Sequence, residues 1–485
     1  MNSKNAMDII PTTIVWLRLD LRLTDHPALT AAIERGVVTT VFIWTPEDEK
    51  RWPLGGASRW WLHQSLSNLN NVLRSRGSRL IIRIGATVST LCDLVQESGA
   101  TAVYYSRRYE PAAVQMEQQV EQALAEKGIE ATGHPGTLLF DPAAIRTKTG
   151  QPYQVFSPFW RRCLQETEPA EPLPAPKNIP APTRWPKSAK LADLALEPTI
   201  DWAGEIRATW QPGEAGAQQL LDRFVSEALI EYDTDRDRPD RDGTSRLSPH
   251  LHFGEISPRQ VWAALHKRAS AARFSQGRER YLSEIGWREF AHHLLVHFPH
   301  TPVQPLREEF SRFPWDDDQK LLRAWQRGLT GYPIVDAGMR QLWKTGWMHN
   351  RVRMIVASFL TKDLLISWQR GAEWFWDTLA DADLANNTLG WQWTAGCGAD
   401  AAPYFRVFNP VSQGERFDPD GTYIRRWVPE LAEVPNEWIH QPWEAPPLLL
   451  NAAGVQLGWD YPRPIVDHAK ARTKALEAYG GMRGG

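Results

Sequence analysis

Between Thr330 and Pro410 the chain keeps a helical apolar rhythm and repeatedly interrupts it with amides, carboxylates and arginines. Val352, Ile355, Val356, Phe359 and Leu360 fall at i, i+3, i+4, i+7 and i+8, one apolar stripe. Asn350 and Met354 are four apart, so with Arg353 they face away from that stripe. The helix therefore packs on one side and offers polar groups on the other. Asn387 and Trp391 repeat the spacing, although Gly390 weakens the expectation of an unbroken helix. Asp381, Asp383 and Asn386 stand in the same otherwise apolar segment. A buried polar group left unpaired costs about 1–3 kcal/mol, so several together imply a mutual network or a polar ligand. Tryptophan is the second signature. Trp343, Trp347, Trp368, Trp374, Trp376, Trp391 and Trp393 crowd this stretch, out of 24 in the chain. Any one is ordinary core filler; the set exceeds what packing requires.

The first third reads differently. TTIVWLR (12–18), VVTTVFIW (37–44), RLIIRIG (79–85), TAVYYS (101–106) and TLLFDP (137–142) are short and β-rich, hence expected strands. Leu62, Leu66, Leu69 and Leu73 at helical spacing predict a helix between the second and third, introduced by Ser58. Near-continuous apolar strands alternating with helices predict a doubly wound parallel sheet over 10–142, which would bind ligands at the strands' carboxyl ends. No GxGxxG follows the first strand, so a dinucleotide-type turn is unsupported. Residues 143–203 include the Pro-rich PAEPLPAPKNIPAPTRWP, which predicts an extended inter-domain linker. From 204 to 485 the pattern is helical, giving an α/β domain joined to an all-α domain. No internal repeat occurs.

Composition sets limits on function. A length of 485 residues suggests two or more domains, and 42% hydrophobic with 23% charged residues describes an ordinary globular protein. The formal net charge of −2 means that nucleic-acid contact needs a local basic patch. Cys92, Cys163 and Cys397 are too few and too scattered for a disulfide framework or zinc site, so no metal is expected. The opening MNSKNAMDIIPTT lacks an apolar signal core and no run approaches a membrane span; a cytoplasmic protein is expected.

Two segments of the helical part carry chemistry. Gly243, Thr244, Ser245 and Ser248 surround Arg246 with hydroxyls and backbone N–H groups, suited to phosphate or, more commonly, to capping a helix. Glu284, Trp287 and Arg288 share a helix face, where the carboxylate is either a surface partner or an acid with a raised pKa. A helical pocket of Trp, amide and Arg groups beside a phosphate-type turn suits a large planar phosphorylated cofactor.

The block GYPIVDAGMRQLWKTGWMHNRVRMIVASFLTKDLL, followed by DADLANNTLGWQW, resembles the flavin-binding domain of the DNA photolyase and cryptochrome family. WLRLDLRLTDHPAL resembles the family's N-terminal motif, and SRWWLHQSL (58–66) looks closest to the class III cyclobutane pyrimidine dimer photolyases and plant cryptochromes. The resemblance implies FAD in the helical domain, a light-harvesting chromophore in the sheet domain, and splitting of pyrimidine dimers in DNA by an electron from photoexcited reduced flavin. Tyr232, Thr244, Ser245, Arg246, Leu247 and Ser248 would contact the ribityl-diphosphate of FAD. Tyr281, Glu284, Arg288, Trp347, Asn350, Arg353, Asp381 and Asp383 would complete its shell, with Asn387 at flavin N5. Glu284, Trp287, Asn350, Met354 and Trp393 match the groups around the dimer, with Trp287 and Trp393 flanking the flipped bases. Trp391, Trp368 and Trp315 match the electron-transfer triad, with Trp374 and Trp376 as another route; Arg236, Arg351, Arg406 and Gln413 match DNA-backbone contacts.

The antenna implied is methenyltetrahydrofolate, with a deazaflavin as the runner-up; Trp60 and Trp61 either stack on it or pack a helix start. A monomer acting on UV-damaged DNA without an obligate protein partner is expected. The competing reading is a blue-light photoreceptor signalling through partners, and a third is a flavin electron-transfer protein without DNA. Asn387 favours repair, because plant cryptochromes typically place Asp there.

Overall fold

The computed structural model describes residues 10–45, 51–166, 168–268, 271–404 and 406–484. The opening residues read above as lacking a signal core lie largely outside them. Among the described residues no helix is long and apolar enough to cross a membrane.

Five strands form one parallel sheet: β1 (Thr12–Leu17), β2 (Val37–Trp44), β3 (Leu80–Ile84), β4 (Ala102–Ser106) and β5 (Glu130–His134), in the order β3-β2-β1-β4-β5. The order reverses at β1, which places a switch-point crevice beyond the carboxyl ends of β1 and β4. Four strands lie where β-branched and aromatic runs predicted them. The fifth does not. EATGH at the sheet edge is half-exposed and has almost no apolar signal, so the pattern passed over it. The 137–142 segment, expected as a strand, instead leaves the sheet, and its polar backbone is satisfied by a helix. Arg288 donates to the Thr137 carbonyl (2.9 Å), while the Leu139 and Phe140 N–H groups donate to Glu289 Oε2 (3.0 and 3.2 Å).

The helix after β2 spans Gly56–Ser75 and starts before Ser58, whose hydroxyl donates to the Leu379 carbonyl across the domain interface. Trp60 and Trp61 are fully buried in that interface. Trp61 stacks on Phe253 at 6.0 Å, meets Trp210 edge-on at 5.4 Å and donates to Glu255 (3.1 Å). They pack the domains together, as the packing alternative held. Gly254, at φ +64°, allows that closeness: a Cβ there would sit 2.2 Å from the Leu19 carbonyl oxygen.

The 143–203 segment contains a helix, Phe156–Cys163, whose Phe156, Phe159 and Cys163 pack with Phe290 and Leu294 of the helical domain. Its Pro-rich part is a strap laid on the sheet domain. The Ala189 N–H donates to the Ile82 carbonyl and the Ile82 N–H to Ser188 Oγ, so the open edge of β3 is covered. Ile179, Leu194 and Leu196 are buried against the sheet-domain core.

The helical domain is centred on one apolar cluster that includes Val352, Ile355, Val356, Phe359, Leu360, Trp368 and Trp391, the stripe read from the sequence. The Leu384–Ala395 helix runs unbroken through Gly390, where open space surrounds the missing side chain.

Glu289 is the titrating joint between the domains. Burial pushes its carboxyl up to about 7 from 4.5, against the pull of Arg288 and the two N–H donors, and buried Oε1 has no hydrogen-bond partner among the described residues. A carboxyl raised in the folded state loses its proton first in the unfolded chain, so its contribution to stability falls from about pH 4.5 to about pH 7 and is flat above. Glu289→Gln should therefore gain melting temperature relative to the unsubstituted protein on going from pH 5 to pH 8, measured by calorimetry. A pH-independent difference would remove Glu289 from that role.

Candidate functional site

The Asn350–Ser358 helix begins at His349, whose Nδ1 accepts from the Arg351 N–H (3.2 Å). Its first turn delivers Asn350, Arg351, Arg353 and Met354 to one wall. Arg353 donates to both Asp381 oxygens (3.1 and 2.8 Å) and through Nε to the Met348 carbonyl. Asn350 is exposed and Met354 half-buried; the Arg351 guanidinium lies 3.7 Å from Met354 Sδ.

Asp383 caps the Leu384–Ala395 helix, accepting from Asn386 N (2.8 Å) and from the Asn386 side chain (2.7 Å). Burial opposes its ionisation, but His292 and His252, at 3.6 and 3.7 Å, hold its carboxyl well below the usual carboxylate range. Asn387 Nδ2 donates to the Ala372 carbonyl (3.0 Å), and Oδ1 meets no protein donor among the described residues. The side chain is thereby fixed with its carbonyl acceptor and one N–H donor left over.

Opposite stands the Ser275–His297 helix with Tyr281, Glu284, Trp287 and Arg288. Burial pushes the Glu284 carboxyl up, although Arg236 sits 2.8 Å away. Trp287 stacks flat on Phe156 at 3.9 Å and 9°. Phe156 was missed by sequence reasoning because it lies in what read as linker. Tyr281 donates to Ser245 Oγ (2.8 Å) and packs edge-on with Tyr232 at 5.2 Å. Trp347 donates to Ser248 Oγ (3.3 Å), under the Arg246 guanidinium at 5.4 Å. Leu247 is buried, and Thr244 and Arg246 line a polar recess of about 110 Å³ with His349 and Gln341. Those last two carried no sequence signal. The donor set suits the proposed flavin nucleotide: hydroxyls and an arginine for a diphosphate, then fixed amide and carboxylate groups for a ring edge.

Three expected residues are placed with additional partners. Arg236 is paired with Glu284, Arg351 pairs with Asp237 (2.8 Å) and lies over Phe417 (4.5 Å), and Arg288 serves the Thr137 carbonyl. Arg406 is exposed, and Gln413 lies on the Pro410–Phe417 helix beside Arg351. Trp393 is half-buried.

Trp391 and Trp368 are almost wholly buried in the central cluster, and Trp315 is half-buried against it. Trp391 lies on the Trp368–Thr378 helix, where a Cβ at Gly371 would come within 2.0 Å of its ring. Trp374 stacks on exposed Trp343 at 5.9 Å and 5°. Trp376 instead meets Trp52 at 5.4 Å and lines a second cavity.

That cavity, about 650 Å³, lies between the carboxyl ends of β1 and β2 and the helical domain. Trp16, Trp44, Trp52 and Trp376 give it aromatic walls, with Arg108 and Glu110 at one end. Arg108 donates to Glu110 (3.0 Å) and keeps its carboxyl ionised, at about 2, against the effect of burial. Trp60 and Trp61 do not line it.

A doubly wound sheet domain facing a helical pocket of this make-up is the two-domain arrangement that the sequence resemblance implied. Residues 13–177 match the DNA photolyase family and residues 281–481 the FAD binding domain of DNA photolyase. The chain is 50% identical over 472 residues to the deoxyribodipyrimidine photo-lyase of Agrobacterium fabrum, covering 97% of this chain and 98% of that one. It is 42% identical to cryptochrome-2 of Arabidopsis thaliana, covering 96% of this chain and 78% of the relative. A bacterial class III photolyase from Agrobacterium tumefaciens superposes with a TM-score of 0.96 at 49% identity over the whole of both chains. The chain belongs to the DNA photolyase and cryptochrome family.

Gly371→Ala should force the Trp391 indole aside, cost about 1–3 kcal/mol of stability and slow photoreduction of bound flavin. A variant with unchanged melting and unchanged photoreduction would show that the contact is dispensable.

Proposed function

We propose that the protein repairs cyclobutane pyrimidine dimers in DNA under blue light, as a class III photolyase. The near-complete likeness to a class III photolyase structure carries this reading. When bound, reduced FAD supplies one photoexcited electron to the dimer and recovers it after splitting.

The chain's own residues bind, orient and tune. Ser245, Ser248 and Arg246, braced by Tyr281 and Trp347, hold the diphosphate. Arg353 with Asp381 and Asp383 with its two histidines give fixed charge at the ring edge. Asn387 would offer its free Oδ1 to the ring edge of the flavin and has no acidic proton to give, which would suit a stable reduced anion. The photoreceptor reading has the plant likeness in its favour, but an aspartate would be expected where Asn387 stands. Trp287, backed by Phe156, offers a rigid stacking platform for a flipped base, with Trp393 opposite. Glu284, whose carboxyl burial pushes up against the pull of Arg236, would donate in its protonated form to a thymine carbonyl as charge develops there. Trp391, Trp368 and Trp315 would pass electrons from a reductant at the surface to oxidised flavin. The 650 Å³ aromatic cavity takes the antenna, methenyltetrahydrofolate ahead of a deazaflavin.

Repair of dimer-containing oligonucleotides in light, and none in the dark, is the expected result; equal affinity for damaged and undamaged DNA would refute it. Glu284→Ala should lower repair per absorbed photon severalfold with FAD content unchanged. Trp368→Phe should block photoreduction and leave repair intact once the flavin is chemically reduced. Photoreduction that persists in that variant would implicate Trp374 and Trp343.

A further inference from the structure

His252 lies at the end of the short Ser248–His252 helix and touches both sites. Its side chain is 4% exposed, and neither ring nitrogen has a hydrogen-bond partner among the described residues. Leaving two such groups unpaired is costly. The ring lines the 650 Å³ cavity on one side. It also lines a gap of about 30 Å³ shared with His292, Arg288 and Asp383, with Nδ1 3.7 Å from Asp383 Oδ2. The ring also packs edge-on against Phe253 at 4.7 Å, which orients it.

His250, two residues earlier, shows what a purely structural histidine does here. Its Nδ1 is closed on Glu255 at 2.5 Å. His252 has no such closure, and it is the one of the two that faces a cavity.

We propose that His252 is a positioning residue that couples the interdomain cavity to the flavin site through Asp383. This rests on the flavin and antenna assignments above. The occupant's chemistry follows from imidazole: a planar heteroaromatic presenting an N–H or O–H, such as a lactam or amino edge, donates to one ring nitrogen. That bond fixes the tautomer with its proton on the other nitrogen, where it is donated to Asp383. Asp383 caps the helix that carries Asn387 and Trp391, so a stronger bond to its carboxylate steadies that helix. The donated bond also screens a negative charge beside the flavin, which favours the reduced anion. Cavity occupancy therefore raises the flavin midpoint potential, and by reciprocity reduction of the flavin strengthens cavity binding.

The test uses the full-length flavoprotein titrated with methenyltetrahydrofolate and, separately, with a deazaflavin, in unsubstituted, His252→Phe and His252→Gln forms. Probe affinity is read by fluorescence and the midpoint potential by spectroelectrochemistry. The expected result is a positive shift of potential on binding in the unsubstituted protein, its loss in His252→Phe, and partial recovery in His252→Gln. Reduction of the FAD should strengthen probe binding in the unsubstituted protein and leave it unchanged in His252→Phe. Probe binding with no shift, or an equal shift in all three forms, overturns the coupling alone. If neither probe binds the unsubstituted protein, the antenna assignment fails and the coupling with it.

Discussion

The catalytic half depends on a buried carboxylate kept ionised. Asp383 does three things with two oxygens: it caps the helix that bears Asn387, Trp391 and Trp393, it orders Asn386, and it stands between two histidines from different elements. A charge in such a place is tolerable only with cationic or hydrogen-bonding neighbours. His292 comes from the helix that also carries Glu284 and Trp287, and His252 from the short helix that follows Ser245 and Arg246. One electrostatic requirement thus registers three segments, far apart in sequence, around one pocket.

Much of this was legible beforehand. The stripe Val352–Leu360 and the four apolar strands are local patterns, and periodicity reads local patterns well. The polar residues inside the helical stretch were also legible, as an imbalance: more amides and carboxylates than a core tolerates. What each pairs with was not. Asp381 takes Arg353, Asp383 takes two histidines, and Arg351 takes Asp237 because of tertiary placement that no spacing encodes.

The misses have physical causes. β5 is an edge strand whose ladder is on one side only, so its residues need little apolar character. The 137–142 run is apolar because it passes between domains, and Glu289 and Arg288 do for its backbone what a neighbouring strand would have done. Phe156 was hidden in a stretch whose prolines dominated its composition, yet it backs Trp287. Gly371 has no side chain to announce it, although Trp391 fills the space a Cβ would take.

The strap over β3 has a consequence for the order of events in synthesis. All five strands leave the ribosome before residues 179–189, so a sheet formed at that stage presents β3 with its outer backbone groups unpaired. The helix ending at Cys163 is likewise stranded until Phe290 and Leu294 arrive. The nascent amino-terminal domain therefore carries a sticky edge while the chain grows from 134 to 189, and an undocked amphipathic helix for the longer interval from 163 to 294. A chaperone that shields strand edges during translation would act on this half of the chain, not on the helical half.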